Sequence, residues 1–195
     1  MIKIGVLNIQ GDVSEHFNML RKLPRSYGVK PVNVKTADEM DGLNGLIIPG
    51  GESTVIYSFL KMAEIYDKII SMADSGMHIM GTCAGAILLS SDTGDDRVKG
   101  MGIINMKIRR NAYGRQINSF IQNIEIKQIG EFNAVFIRAP EIEEYSGAES
   151  LSDLGGSSIF VQNRKAIAMT FHPELTGNPA IHEYFARSIQ NNNEA

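Results

Sequence analysis

Three short apolar runs each end in a glycine-bearing turn followed by an amphipathic segment. Ile2–Leu7 leads into Gly11-Asp12, Leu46-Ile47-Ile48 into Pro49-Gly50-Gly51, and His78-Ile79-Met80 into Gly81-Thr82-Cys83-Ala84-Gly85. Runs this short and this continuously apolar suit strands buried on both faces better than helices. The segments that follow have helical spacing: Phe17, Leu20 and Leu23; Ile56, Phe59 and Leu60; Ile65, Ile69 and Met72. Asp12-Val13-Ser14-Glu15 has the spacing of a helix N-cap with a supporting Glu. Val32 and Val34 suit a further strand, and 86–90 begins a helix. This alternation predicts an α/β fold, a three-layer sandwich with a central, mostly parallel sheet covered by helices on both faces.

The second half reads differently. Residues 103–108, 121–126, Val135-Phe136-Ile137 and 166–171 look like strands, with no clear helix until Pro179. A mixed or antiparallel extension of the sheet is expected there. Ile181, Tyr184, Phe185 and Ile189 give a last helix its apolar face, and 191–195 should fray. The polar stretch 92–97 should be an exposed loop. With 195 residues, the chain is expected to be one domain over 1–195.

Charge and composition narrow the classes of function. A net charge of -3 is no footprint for nucleic acid or an anionic membrane. No apolar run approaches the ~20 residues that cross a bilayer. The first residues lack the long apolar region and cleavage site of a signal peptide. A single cysteine forms no internal disulfide, so an oxidising compartment is not indicated. A cytoplasmic protein is expected.

That cysteine lies in the most informative segment. In Gly81-Thr82-Cys83-Ala84-Gly85, glycines stand two residues before and two after Cys83, between a strand and a helix. This is the pattern of a nucleophile elbow, whose turn is too tight for side chains at the flanking positions. A lone cysteine is usually a small core hydrophobe; the elbow reverses that reading. A helix N-terminus favours the thiolate, and the Ala84 N–H would face a developing oxyanion. Phe171-His172-Pro173-Glu174 closes a later strand. His172 would serve as base, and in an extended segment Glu174 would leave on the same face and orient it. His16 and His182 fall on predicted helices, where a solvated or half-buried role is the default. His78 sits at the wrong end of its strand.

Pro49-Gly50-Gly51-Glu52-Ser53-Thr54 lets the backbone approach a ligand closely, and Gly51 N–H is the candidate second oxyanion donor. It has no Lys after the glycines and is no phosphate loop. Gln10, which follows the first strand on the same edge of the sheet, is a further candidate for substrate contact.

Taken together, these motifs resemble the class I, triad-type glutamine amidotransferases, and more narrowly the glutaminase subunits of pyridoxal 5′-phosphate synthase. The narrower likeness rests on Gly5-Val6-Leu7 with Gln10-Gly11 and Glu15-His16, on 46–54, and on 81–85. It rests further on Arg110-Asn111-Ala112-Tyr113-Gly114-Arg115-Gln116 with Ser119-Phe120, and on Phe136-Ile137-Arg138-Ala139-Pro140 with 171–175. The resemblance implies a flavodoxin-like fold and Cys83, His172 and Glu174 as a triad. It implies that Gly51, Glu52, Ser53, Arg110, Ile137 and Arg138 contact L-glutamine. An α-carboxylate seeks a guanidinium or backbone N–H groups, and an α-ammonium seeks carbonyls or a carboxylate. It implies no metal and no cofactor.

The resemblance also implies a partner, an ammonia-accepting synthase subunit in a large hetero-oligomer. The chain alone is expected to be a monomer and a poor glutaminase until that partner docks. Residues 23–27 and the loop around Asp95-Asp96-Arg97 match no family pattern, and neither is expected to touch the site. Two alternatives stand beside this reading. One is a glutaminase subunit serving a different synthase; the other is a non-catalytic regulatory module of the same fold.

Overall fold

The computed structural model describes residues 1–110 and 119–193. The strands are β1 (Ile2–Leu7), β2 (Val29–Val34), β3 (Gly45–Ile48), β4 (His78–Thr82), β5 (Met106–Arg109), β6 (Ser119–Ile126), β7 (Gly130–Ile137), β8 (Glu141–Tyr145), β9 (Glu149–Leu154), β10 (Ser157–Gln162) and β11 (Ala166–Met169). The helices are α1 (Val13–Lys22), α2 (Ser53–Met62), α3 (Ile65–Asp74), α4 (Ala84–Leu89) and α5 (Ala180–Asn193). A seven-stranded sheet runs β2-β1-β3-β4-β11-β10-β9. Its first five strands are parallel, and β10 and β9 extend it antiparallel. This is the mostly parallel sheet that the alternation predicts. Its antiparallel extension comes from β10 and β9, whereas the strands expected at 103–108, 121–126 and 135–137 lie in two separate two-stranded sheets, β5–β8 and β6–β7.

The period of two along each strand sorts the core into two layers. Leu46, Ile48, Ile79, Ala166 and Ala168 pack with Ile56, Leu60, Ile65, Ile69 and Ile87 from α2, α3 and α4. Ile4, Val6, Ile47, Met80, Ile167 and Met169 face the opposite way, onto Leu20 of α1 and Ile181 and Phe185 of α5. The antiparallel pair β6–β7 joins that second layer through Ile124, Phe132 and Phe136. Phe136 packs against Phe171 with ring centroids 5.7 Å apart, directly before His172. The order β2-β1-β3-β4 is flavodoxin-like. Folds of this order bind ligands outside the carboxyl ends of the strands, at the β1/β3 switch point.

Several local expectations change. Asp12 precedes α1 but makes no side-chain cap; the helix starts instead with the His16 N–H donating to the Asp12 carbonyl at 3.2 Å. The strand read at 103–108 begins only at Met106. Strands β9 and β10 carry little periodic signal in sequence because serines occupy inward-facing positions, with Ser152 and Ser158 buried. Their hydroxyls satisfy one another and the backbone, with Ser150 Oγ 2.7 Å from Ser158 Oγ and Ser152 Oγ donating to Glu125 O at 2.8 Å. The last helix runs on to Asn193 instead of fraying from 191; residues 194–195 lie outside the described residues. No helix among the described residues is long and apolar enough to cross a membrane.

Candidate active site

The carboxyl ends of β3, β4 and β11 meet at one edge of the sheet. There β4 breaks at Cys83, which adopts φ 48° and ψ −103° before α4 begins at Ala84. A positive φ at a residue with a side chain is strained and persists only where the surroundings enforce it. Here the Cys83 N–H donates to Met169 O at 2.9 Å and its carbonyl accepts from the Ile87 N–H at 3.2 Å. The flanking glycines are required sterically. A Cβ on Gly85 would sit 2.0 Å from the Ile48 carbonyl oxygen, and one on Gly81 would sit 2.7 Å from the Gly85 backbone. Ala84 lines the cleft as the first residue of α4. The N–H groups of a first helical turn have no intrahelical acceptors.

His172 arrives from β11. Its N–H donates to Val135 O at 2.8 Å, which ties it to β7. The chain does not stay extended: Pro173–Leu175 forms a 3-10 turn. His172 and Glu174 therefore do not share a strand face. The turn still brings His172 Nδ1 to 2.8 Å from Glu174 Oε1. Both groups are buried, with side-chain exposures of 6% and 0%, so their interaction escapes the screening that weakens surface pairs. Gly50 wedges against both reacting residues. A Cβ there would lie 2.4 Å from His172 Cε1 and 3.4 Å from Cys83 Cβ.

Burial opposes a charged His172, but its hydrogen bonds to Cys83 and Glu174 outweigh this and push its pKa up to about 10. Burial also raises the Glu174 pKa, against the pull of His172. The shared proton sits on the imidazole, because the ring gains two partners that favour its charge.

The residues expected to contact substrate gather at a cleft of about 210 Å³. Gly51, Glu52, Ser53, Arg110, Ile137 and Arg138 all line it, together with Cys83 and His172. The Ile137 carbonyl lies 3.9 Å from Cys83 Sγ. Arg138 follows at φ 43°, a second strained residue on the wall. Gly51 has φ 141°, which favours glycine. The Ser53 hydroxyl is buried with no partner among the described residues. Gln10 stands behind the loop, not on the wall: its Oε1 accepts the Glu52 N–H at 3.0 Å. The Asn111–Gln116 part of the family-like block lies outside the described residues.

One expectation is overturned. The loop around Asp95 does touch the site, because Arg110 pairs with Asp95 through one guanidinium nitrogen and with Glu52 through another. Bonds from Arg97, then Arg110, hold the Asp95 carboxyl well below the usual range. Nothing local in Asp95-Asp96-Arg97 signals this, since the pairing spans the fold. His16 and His182 are also not solvated; both are fully buried. His16 precedes the buried Met19 and Leu20 by three and four residues, which puts it on the apolar face of α1. That spacing was the available signal.

Asp12 was missed as well. It lines the cleft with Oδ2 3.6 Å from His172 Nδ1. Asp12, His172 and Glu174 place one donor atom each within 4.8 Å of one another. His172 Nδ1 and Glu174 are already engaged with each other, so the cluster reads as a histidine oriented by carboxylates.

The profile of the SNO glutamine amidotransferase family matches residues 6–191. Pyridoxal 5′-phosphate synthase subunit PdxT from Picrophilus torridus is 54% identical over 98% of this chain and 100% of its own length. The protein of the same name from Thermoplasma volcanium is 49% identical over 94% of this chain and 93% of its own. A solved structure described as a glutamine amidotransferase superposes with a TM-score of 0.89 at 37% identity, covering 96% of this chain and 98% of its own. The structure of PurLQS from Thermotoga maritima, at 17% identity and a TM-score of 0.68, shares the fold.

Proposed function

This chain belongs to the SNO glutamine amidotransferase family, and from that premise we propose that it is the glutaminase subunit of a pyridoxal 5′-phosphate synthase. It hydrolyses L-glutamine to L-glutamate and ammonia and supplies the ammonia to a synthase subunit. The observation that carries this reading is a strained Cys83 that shares one cleft wall with His172, which is in turn held at 2.8 Å by buried Glu174. A nucleophile, its base and the group orienting the base are the parts acyl transfer through a covalent intermediate requires.

In the proposed reaction the Cys83 thiolate attacks the side-chain amide carbon of glutamine. The N–H groups of Gly51 and Ala84 hold the oxyanion. His172 protonates the leaving nitrogen, the C–N bond breaks, and ammonia departs from a γ-glutamyl thioester. A water molecule gives its proton to His172 and attacks that thioester. L-Glutamate leaves and the thiolate returns. Nothing in these steps calls for a metal or a cofactor.

The wall residues Glu52, Ser53, Arg110, Ile137 and Arg138 bind the glutamine, with the orphaned Ser53 hydroxyl able to accept a partner from it. Gln10 supports this wall by holding the Glu52 N–H. The whole chain, 1–195, works as one domain. The free subunit is a cytoplasmic monomer, and it enters a large hetero-oligomer with the synthase subunit. A Gly50-Gly51 peptide can reorient at little steric cost, so turnover depends on docking of that partner.

The test is glutamate release from L-glutamine, with and without the synthase subunit, for wild type and Cys83→Ala. The reading expects release that rises strongly with the partner and disappears in Cys83→Ala, by on the order of 10³-fold or more. Partner-independent release would keep the glutaminase and discard the assembly. Release that survives Cys83→Ala would overturn the mechanism.

A further inference from the structure

Behind Glu174, away from Cys83, lie two buried histidines that the reaction above leaves unused. His16 comes from α1 and His182 from α5, and both are fully buried. His16 Nδ1 lies 2.9 Å from His182 Nε2. On its other side, His16 Nε2 lies 3.5 Å from Glu174 Oε2 and 3.4 Å from Thr82 Oγ1. Glu174 Oε2 has no hydrogen bond of its own among the described residues, and neither does His182 Nδ1.

Proton accounting fixes the direction of this line. Burial first, then the charges of His182 and His172, keep His16 well below the ordinary histidine pKa. Burial takes His182 down to about 3. Each ring is therefore neutral, with one donor and one acceptor. If His16 carried its proton on Nδ1, it would donate to His182 Nε2. His182 would then bury an N–H at Nδ1 with no acceptor, and His16 Nε2, though able to accept the Thr82 hydroxyl, would turn its lone pair toward a carboxylate oxygen. Both consequences are unfavourable. With protons on both Nε2 atoms, His182 donates to His16, and His16 faces Glu174 Oε2 and Thr82 Oγ1 with an N–H. Only a bare lone pair, on His182 Nδ1, then goes unused.

We propose that His16 is a positioning residue, whose Nε2–H holds the outer oxygen of Glu174 while His182 enforces the tautomer that makes this possible. The inference rests on the proposed role of Glu174 in orienting His172. The 3.5 Å separation is long for a hydrogen bond, and catalytic hydrogen bonds in ligand-free sites commonly tighten when substrate binds. The groups that face Glu174 with charge or a titrating proton are His172, His16 and Asp12. Of these, His172 takes the inner oxygen, and Asp12 reaches His172 Nδ1 and not the outer oxygen. His16 is thus the donor left for the outer oxygen. The same N–H reaches Thr82, the residue before Cys83, so one ring ties the orienting carboxylate to the start of the elbow.

Two measurements test this. Imidazole ¹⁵N NMR on the folded wild-type chain should show His16 and His182 as neutral Nε2–H tautomers; a His16 proton on Nδ1 would overturn the proposal without any variant. Kinetics with the synthase subunit present then compare His16→Met, which removes the donor at similar volume, with His16→Gln, whose amide N–H replaces it. His16→Met should lose about 10–100-fold in kcat, as other outer-shell substitutions do, with KM within about twofold. Without the donor, Glu174 takes a proton more readily, so the acidic limb of the kcat profile should move to higher pH. His16→Gln should restore both kcat and the limb. A folded His16→Met with wild-type kcat and limb, or a His16→Gln as impaired as His16→Met, would also overturn it. Wild type that releases no glutamate counts against the proposed function, and the NMR tautomer then still decides this inference.

Discussion

At the floor of the cleft, Cys83, His172 and Glu174 are set by close packing and burial, with side-chain exposures of 6% and 0% for the last two. At its rim, Arg110, Glu52 and Asp95 hold one another by charge, with exposures of 21%, 41% and 11%. The floor has no room for an added side chain. Gly85, Gly81 and Gly50 are all in contacts that a single methyl would break. The rim is built of long or flexible side chains partly in water, where pairing is weaker and screened by salt. The difference separates two duties. Chemistry needs atoms placed to within an ångström, whereas admitting a charged substrate needs groups that can exchange partners.

The sharpest way to break this comparison is Gly85→Ala. The added Cβ meets a backbone carbonyl, not a side chain that can swing away. Either α4 or β3 must shift. Such overpacking costs roughly 1–3 kcal/mol, with each kcal/mol lowering the melting temperature by about 2–4 °C in a chain of this size. A displacement of that scale at the elbow should reduce glutamate release by about 10²-fold. Thermal unfolding and steady-state assays read the two effects. An active, stable Gly85→Ala would mean that packing does not set the floor.

Next in size is Glu174→Gln, which leaves the shape and removes the charge. His172 is raised to about 10 in the folded protein, above an unfolded value near 6.5. Its imidazolium therefore stabilises the fold fully below about pH 6.5, and that contribution fades as pH rises through about 10. Glu174→Gln should lower the folded pKa. The basic limb of glutamate release should then fall below its wild-type position, with kcat down by about 10–100-fold. The melting temperatures of wild type and variant should differ most near neutral pH and converge as pH approaches 10. A basic limb unmoved in Glu174→Gln would show that Cys83 alone holds the proton on His172.

The floor was the more legible of the two regions, for a physical reason. Glycines around Cys83 and the short His172-Pro173-Glu174 segment are local, and tight backbone geometry leaves a mark on the residues that form it. The mark was still incomplete. Strand alternation would set His172 and Glu174 on one face, and a 3-10 turn brings them together instead. The sheet was legible through the apolar runs that become β1, β3, β4 and β11. Strands β9 and β10 were not, since their serines find hydrogen-bond partners that sequence does not show. The rim was the least legible. Asp95 and Glu52 meet at Arg110 only because β3, β5 and the loop after α4 converge, and a charge in a loop looks the same whether it is solvated or paired.

The smallest expected effect sharpens the rim. Where Arg110 is the group that takes the substrate carboxylate, Asp95 competes for the same guanidinium, and bonds from Arg97 and Arg110 favour the ionised Asp95. Asp95→Asn removes the competing charge and keeps the shape, while Glu52 stays to hold the other nitrogen. KM for L-glutamine should fall by about two- to fivefold, the range expected for partly exposed pairs, with kcat within about twofold because no floor residue moves. The difference should shrink in molar salt, where the Debye length is ~3 Å. A KM that rises instead would show that Asp95 braces Arg110 and does not compete for it. The rim would then be as preorganised as the floor, and admission of the substrate would depend on a fixed guanidinium, with no exchange of partners.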